Sequence, residues 1–124
     1  MSAGKKVLII EDDSFLSSLI KARLEKEGLA VIQAFDGEEG LQILRKERPN
    51  LIVLDLIMPK VSGFEVMEYI SLNVELNQIP VVILSNLAQE RDIEKARRLG
   101  AKEFFIKIKV SIDDLVAKIK ELLN

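Results

Sequence analysis

The fold of this chain is decided by Leu51-Ile52-Val53-Leu54-Asp55, where four consecutive apolar residues run directly into a carboxylate. An unbroken apolar run of this length is typical of a parallel strand that is covered on both faces of its sheet. In open parallel sheets, ligands bind beyond the carboxyl ends of the strands, where the strand order reverses. Asp55 is therefore the first residue to consider for chemistry.

Strand-length apolar runs alternate with helical patterns along the rest of the chain. The predicted strands cover residues 6–10, 29–34, 51–54, 79–84 and 103–106. The predicted helices cover residues 14–27, 37–46, 62–72, 88–99 and 112–123. Five β-α units in succession imply an α/β fold, with a five-stranded parallel sheet, helices on both faces and right-handed crossovers.

The composition restricts the chemistry that is available. The length of 124 residues fits a single domain over residues 1–124, and 48% hydrophobic with 31% charged residues is ordinary for a globular protein. A net charge of −2 gives no reason to expect nucleic-acid binding, which needs a basic face. The chain has no cysteine and no histidine, which excludes thiolate sites and Ser-His-Asp triads. Its chemistry must use carboxylates, hydroxyls and lysines.

The sequence also carries a prediction about location. No apolar run approaches the length of a membrane span. The first six residues, MSAGKK, lack the apolar block of a secretory signal. We therefore expect a cytoplasmic protein that does not contact the membrane.

Charged and polar residues stand at the ends of four predicted strands. Glu11 and Asp12 follow the first strand, Asp55 follows the third, and Ser85 and Lys107 follow the fourth and fifth. Two carboxylates about 4 Å apart repel by about 4 kcal/mol at an effective dielectric constant of about 20, so this group needs a shared proton or a cation. Oxygen ligands of this kind suit Mg²⁺. A cation, a lysine and a hydroxyl around one carboxylate describe a phosphoryl site with Asp55 as nucleophile.

Four separated segments carry a resemblance to a known family. VLIIEDD (7–13), DLIMPKVSG (55–63), PVVILS (80–85) and GAKEFFIK (100–107) resemble receiver domains of bacterial two-component response regulators, in particular those like chemotaxis regulators. The resemblance extends from about residue 5 to about residue 123, with the motifs in the right order. It implies a flavodoxin-like (βα)5 fold with strand order 2-1-3-4-5.

The resemblance also implies a role for individual residues. Asp55 matches the phosphorylated aspartate, and Lys107 matches the lysine that pairs with the phosphoryl group. Mg²⁺ would be bound by Asp55, Asp12 and the backbone carbonyl of Ile57, with Glu11 acting through water. Ser85 and Phe104 match the hydroxyl and the aromatic ring that switch on phosphorylation.

Partners and activity follow from the same resemblance. A sensor histidine kinase or a phosphotransfer protein would supply the phosphoryl group. A downstream protein would bind the face formed by the fourth helix, fifth strand and fifth helix. The chain would catalyse only its own phosphorylation and dephosphorylation, and would not be an enzyme in the usual sense.

Three positions depart from the family pattern. Ile108 follows Lys107 where proline is usual, and because a non-proline cis bond costs about 3–4 kcal/mol we expect a trans bond and a reshaped loop. Ile57 and Leu87, two positions after Asp55 and Ser85, are apolar and should hinder the attacking water, giving a long-lived phosphoryl state. Asn86 replaces a small residue and should narrow access to the site.

Two other functions are compatible with parts of the sequence. The first is a degenerate receiver that binds proteins without being phosphorylated, which the residue at position 108 makes a serious alternative. The second is an enzyme on a related fold. A nucleotide or flavin protein would need a phosphate-cradling loop after the first strand, whereas EDDS (11–14) repels anions. An aspartyl phosphatase would need a second acid where the chain has Ile57.

Overall fold

A computed structural model describes residues 4–87 and 89–124 of the chain. Its five strands form one parallel sheet in the order β2-β1-β3-β4-β5, which confirms the predicted order. The strands are β1 (Lys6–Ile10), β2 (Ala30–Ala34), β3 (Leu51–Leu54), β4 (Val81–Ser85) and β5 (Glu103–Ile106). The helices are α1 (Ser14–Lys26), α2 (Gly37–Lys46), α3 (Gly63–Leu72), α4 (Glu90–Arg98) and α5 (Ile112–Leu123).

The boundaries differ from the sequence-based expectations by one or two residues. β4 begins at Val81 rather than at residue 79, since Pro80 has no N–H for the ladder, although its carbonyl accepts from Ile52 N–H at 3.0 Å. The predicted start of the fourth helix, Ala88, lies outside the described residues, as do the first three residues of the MSAGKK segment. The described part of that helix begins at Glu90.

Buried side chains lie on both faces of the sheet, which explains why the central strands are apolar at every position. One cluster packs alternate residues of the sheet against α2, α3 and α4, and includes Ile10, Leu54 and Ile83. The other packs the intervening residues against α1 and α5, and includes Ile9, Val53 and Leu84. Successive side chains of a strand point to opposite faces, so a strand covered on both sides loses the polar alternation.

Local signals fix the segments that follow β1 and β3. Asp13 caps α1 by accepting from the N–H groups of Phe15 and Leu16, both at 3.1 Å. Ser62 and Glu65 form the predicted capping box of α3. Gly63 allows that helix to start against the backbone of the sheet, because a Cβ at this position would lie 2.2 Å from the Asp55 carbonyl oxygen. Both helices therefore begin directly beside the carboxyl ends of the central strands.

No helix within the described ranges has the length and apolar character needed to cross a membrane.

Candidate functional site

Three carboxylates meet at the carboxyl ends of β1 and β3. Glu11 and Asp12 follow β1 and Asp55 follows β3, and one oxygen from each lies within 4.8 Å of the others. The two strands are neighbours, with Ile10 opposite Leu54, so the residues that follow them emerge at the same level. Glu11 is 1% exposed and Asp55 is 4% exposed, whereas Asp12 faces solvent. Two buried acids and one exposed acid thus lie together at the point where the strand order reverses.

Lys107 crosses from the end of β5 to this acidic group. Its Nζ lies 2.9 Å from Asp55 Oδ2, and 3.0 Å from Glu11 Oε2. Every peptide bond in the described ranges is trans, including the one between Lys107 and Ile108 that we expected to be trans. The residue at position 108 has therefore not kept the lysine away from the carboxylates.

The remaining oxygen of Asp55 has a different partner. The N–H of Ile57 donates to Asp55 Oδ1 at 3.2 Å. The two carboxylate oxygens are thus oriented by separate donors, one from the β3–α3 loop and one from the end of β5. The predicted use of the Ile57 carbonyl as a metal ligand stays a prediction.

Burial dominates the electrostatics of the group. Removal from water raises the pKa of Glu11 from 4.5 to about 7, and the charge of Asp55 adds to this effect, although hydrogen bonds from Lys107 and from Asp13 N–H oppose it. Burial would lower the pKa of Lys107, but its hydrogen bonds to Glu11 and Asp55 outweigh burial and raise the pKa. The lysine therefore stays charged, while Glu11 titrates close to neutral pH.

One buried oxygen of the group is left without a hydrogen bond. Glu11 Oε1 lies 2.8 Å from Lys107 Nζ, but it is out of line for a hydrogen bond and finds no other partner within the described residues. A buried carboxylate oxygen without a hydrogen bond is costly. Three acids against one lysine also leave an excess of negative charge. Both features fit a hard divalent cation such as Mg²⁺, which takes oxygen ligands and keeps several waters.

Ser85, at the end of β4, has no hydrogen bond to this group in the described part of the chain, and Phe104 lies on β5. The Ser85 side chain is buried, and its Oγ accepts from Leu87 N–H at 3.2 Å. Phe104, on β5, is half-buried and packs on the α4 side of the sheet. With Ile93 and Arg97 of α4, it lines a cavity of about 190 Å³.

The sequence did not predict one contact beside the site. The side chain of Asn86, directly after Ser85, accepts from the N–H of Ile108, directly after Lys107, with Oδ1 3.0 Å from the nitrogen. Both residues depart from the family pattern, but the sequence analysis did not predict a contact between them. The available signal was the pairing of β4 with β5, which brings the residues following the two strands together.

The sheet is parallel and doubly wound, its acidic residues lie where the strand order reverses, and a lysine from the end of β5 contacts them. This combination defines a class of α/β domains with an acidic pocket. The family model that matches the chain is the response regulator receiver domain, over residues 7–120. The polar-differentiation response regulator DivK of Brucella anthropi is 34% identical over 120 residues, which cover 97% of each protein. The chain belongs to the response regulator receiver domain family.

Solved structures agree with this assignment. The receiver domain of the Francisella response regulator 1452 superposes with a TM-score of 0.87 at 29% identity, covering 97% of both chains. The Mn(2+)-bound form of response regulator Rcp1 superposes with a TM-score of 0.82 at 30% identity, covering 95% of this chain and 91% of that one. Other curated relatives are longer, and the chain spans about half their length.

Family membership establishes the general character of the protein. Receiver domains are signalling modules of two-component systems rather than enzymes of the ordinary kind. They bind Mg²⁺ or Mn²⁺ at an acidic pocket and interact with histidine kinases and downstream targets. In this chain, Glu11, Asp12 and Asp55 form an acidic group at the carboxyl ends of β1 and β3.

Proposed function

We propose that this chain is a phosphorylation switch that takes a phosphoryl group onto Asp55 with the help of Mg²⁺. The observation that carries the proposal is the position of Asp55. Its buried carboxylate has the Lys107 ammonium at 2.9 Å on one oxygen and two further acids within 4.8 Å. Positive charge on one side and a cation site on the other are what a transferred phosphoryl group requires.

The proposed reaction is the transfer of one phosphoryl group to Asp55. An Asp55 oxygen attacks the phosphorus of a phosphohistidine or a small phosphodonor, the bond to the leaving group breaks, and an acyl phosphate forms. Lys107 stabilises the negative charge on the phosphoryl oxygens, and Ile57 N–H orients the attacking carboxylate. Mg²⁺, held by Glu11, Asp12, Asp55 and the Ile57 carbonyl, would neutralise further charge on the transferred group.

The surroundings of the site support a protein as the phosphodonor. Three apolar side chains at this end of the sheet are exposed: Phe15 by 79%, Ile57 by 56% and Ile108 by 80%. Each lies within three residues of an acid or lysine of the site. An apolar rim around a charged centre suits docking by another protein, here a sensor histidine kinase or a phosphotransfer protein.

Output is proposed to use the face formed by α4, β5 and α5. Ser85 would move toward the phosphoryl group and Phe104 would turn inward. The half-buried ring of Phe104 and the cavity that it lines beside α4 support this proposal, because the ring has room to change its position. A downstream protein would then bind the changed face. The proposed partners include no nucleic acid and no membrane.

Incubation with acetyl phosphate and Mg²⁺ tests the proposal. The intact mass should rise by about 80 Da, the mass of one phosphoryl group. Asp55→Asn should abolish the gain, because an amide is not a nucleophile here. Asp36→Asn is the matched control, since this carboxylate caps α2, is not one of the three grouped acids, and can be replaced as a cap by asparagine. It should gain mass like the unaltered chain.

The same experiment judges the alternative, a degenerate receiver used only for protein binding. No mass gain with acetyl phosphate, with or without Mg²⁺, would favour that alternative. The contact between Lys107 and both buried acids argues against it, because the departure at position 108 has left the charged site assembled.

A further inference from the structure

We propose that Asn86 is a positioning residue for phosphoryl transfer, acting by holding the turn that carries Lys107. The inference rests on the proposed function at Asp55 and adds a residue to it. The acceptor is Asn86 Oδ1 and the donor is the backbone N–H of Ile108, 3.0 Å apart.

The contact extends the pairing of β4 with β5 beyond the sheet. In the sheet, Ser85 lies opposite Ile106. One step further, Lys107 N–H donates to the Ser85 carbonyl at 3.1 Å. The Asn86 side chain then accepts a hydrogen bond from the next backbone N–H, that of Ile108. Two successive bonds thus fasten Lys107 and the residue that follows it to the end of β4.

Ile108 has little else to hold it. Its side chain is 80% exposed, so packing contributes little to its position. Within the turn, Lys109 N–H and Val110 N–H both donate to the Ile106 carbonyl, at 2.9 and 3.0 Å. The N–H of Ile108 donates outside this turn, to Asn86 Oδ1. A proline at position 108 would have no N–H to offer, so the contact depends on both departures from the family pattern occurring together.

The position of Lys107 depends on this turn. Its ammonium reaches two buried carboxylates at 2.8 to 3.0 Å, and a small displacement of the backbone would lengthen these contacts. The other end of the contact adjoins Ser85, whose hydroxyl accepts from Leu87 N–H. Asn86 therefore stands between the two groups that are proposed to meet the phosphoryl group, and it links their loops.

Three single variants test the contact. Asn86→Ala removes the acceptor, Ile108→Pro removes the donor, and Lys109→Ala removes an exposed side chain of the same turn but leaves the Ile108 N–H in place. A single neutral hydrogen bond corresponds to about a two- to tenfold change in an equilibrium, so the first two variants should take phosphoryl from acetyl phosphate about two- to tenfold more slowly. Lys109→Ala should react at the unaltered rate. An unaltered rate in Asn86→Ala would overturn the proposal.

A double variant separates positioning from general damage. If Asn86 acts through Lys107, then Asn86→Ala should cause no further slowing in a Lys107→Ala background. Equal slowing in both backgrounds would mean that Asn86 acts independently of the lysine, and it would overturn the proposal.

A readout without phosphorylation keeps this inference distinct from the proposed function. In NMR spectra of the unphosphorylated chain, Asn86→Ala should speed the exchange of the Ile108 amide and broaden the Lys107 ammonium signal, and Lys109→Ala should leave the ammonium signal sharp. If the unaltered chain takes no phosphoryl group while these signals change as expected, the positioning stands and the proposed function fails. Signals that do not respond to Asn86→Ala would overturn the positioning itself.

Discussion

The site has two halves that are held together by forces of very different strength. The acidic rim, formed by Glu11, Asp12 and Asp55, includes two almost fully buried acids held by Lys107. The β4–β5 rim, formed by Ser85, Asn86 and Ile108, includes an exposed hydrogen bond between two exposed residues. Removing one partner of a buried ion pair destabilises a fold several times more than removing an exposed neutral hydrogen bond does.

The difference suggests how such a domain can be both fixed and responsive. A group that must neutralise a phosphoryl charge needs its donors and acceptors in place beforehand, which burial provides. Segments that change position on a signal come from the less stable parts of a fold. Lys107 belongs to both halves, because its backbone lies on the β4–β5 rim and its ammonium lies in the acidic rim.

The largest effect should come from removing the charge that joins the halves. Lys107→Met at pH 8 without divalent metal leaves buried carboxylates unpaired, and it should lower the free energy of unfolding by about 3–5 kcal/mol. Urea denaturation measures this. Lys109→Met is the matched control, because Lys109 is an exposed lysine two residues away and its loss should change little. Equal losses in the two variants would mean that the ion pairs of Lys107 contribute no more to the free energy of unfolding than an exposed lysine does.

The acidic rim should also make stability depend on pH. Glu11 has a pKa of about 7 in the folded chain and 4.5 when unperturbed, so the folded state binds the extra proton between these values. Its contribution is fully present below pH 4.5 and is lost as the pH rises through about 7. In EDTA, this should remove about 3 kcal/mol from the free energy of unfolding.

Glu11→Gln isolates that contribution from the other titrating groups. The difference in the free energy of unfolding between the unaltered chain and Glu11→Gln, measured from pH 4.5 to 8, should change in favour of the variant as pH rises. A difference that stays constant with pH would show that burial does not hold a proton on Glu11.

A divalent cation should strengthen the acidic rim by a smaller amount. At about ten times its dissociation constant, Mg²⁺ should raise the free energy of unfolding by about 1.4 kcal/mol, because it binds only the folded chain. Asp12→Asn should shift this response to higher Mg²⁺ concentration. Asp13→Asn should not, since Asp13 caps α1 and asparagine also caps well. Thermal melts over a Mg²⁺ series would decide, and identical responses in both variants would remove Asp12 from the cation site.

The two halves also differ in how far the sequence predicted them. The acidic rim followed from local patterns, because each acid comes directly after an apolar strand and parallel strands end at the same edge. The raised pKa of Glu11 did not follow, since it depends on burial by distant segments. The contact between Asn86 and Ile108 joins residues 22 positions apart through a side chain, and no period or cap signal encodes such a pair.

The smallest predicted effect concerns water at the edge of the acidic rim. Ile57 is 56% exposed beside Asp55, and its side chain should hinder water that attacks the acyl phosphate. Ile57→Ala should speed loss of the phosphoryl group about threefold, equivalent to about 0.65 kcal/mol in the barrier. Leu72→Ala is the control, because Leu72 is also an exposed apolar residue but lies at the far end of α3. Intact mass followed over time gives the rates, and the unaltered chain should keep its phosphoryl group for minutes or longer. A lifetime of seconds would show that the apolar side chain does not shield the site, and it would leave the lysine and the cation site as the main controls on the phosphoryl state.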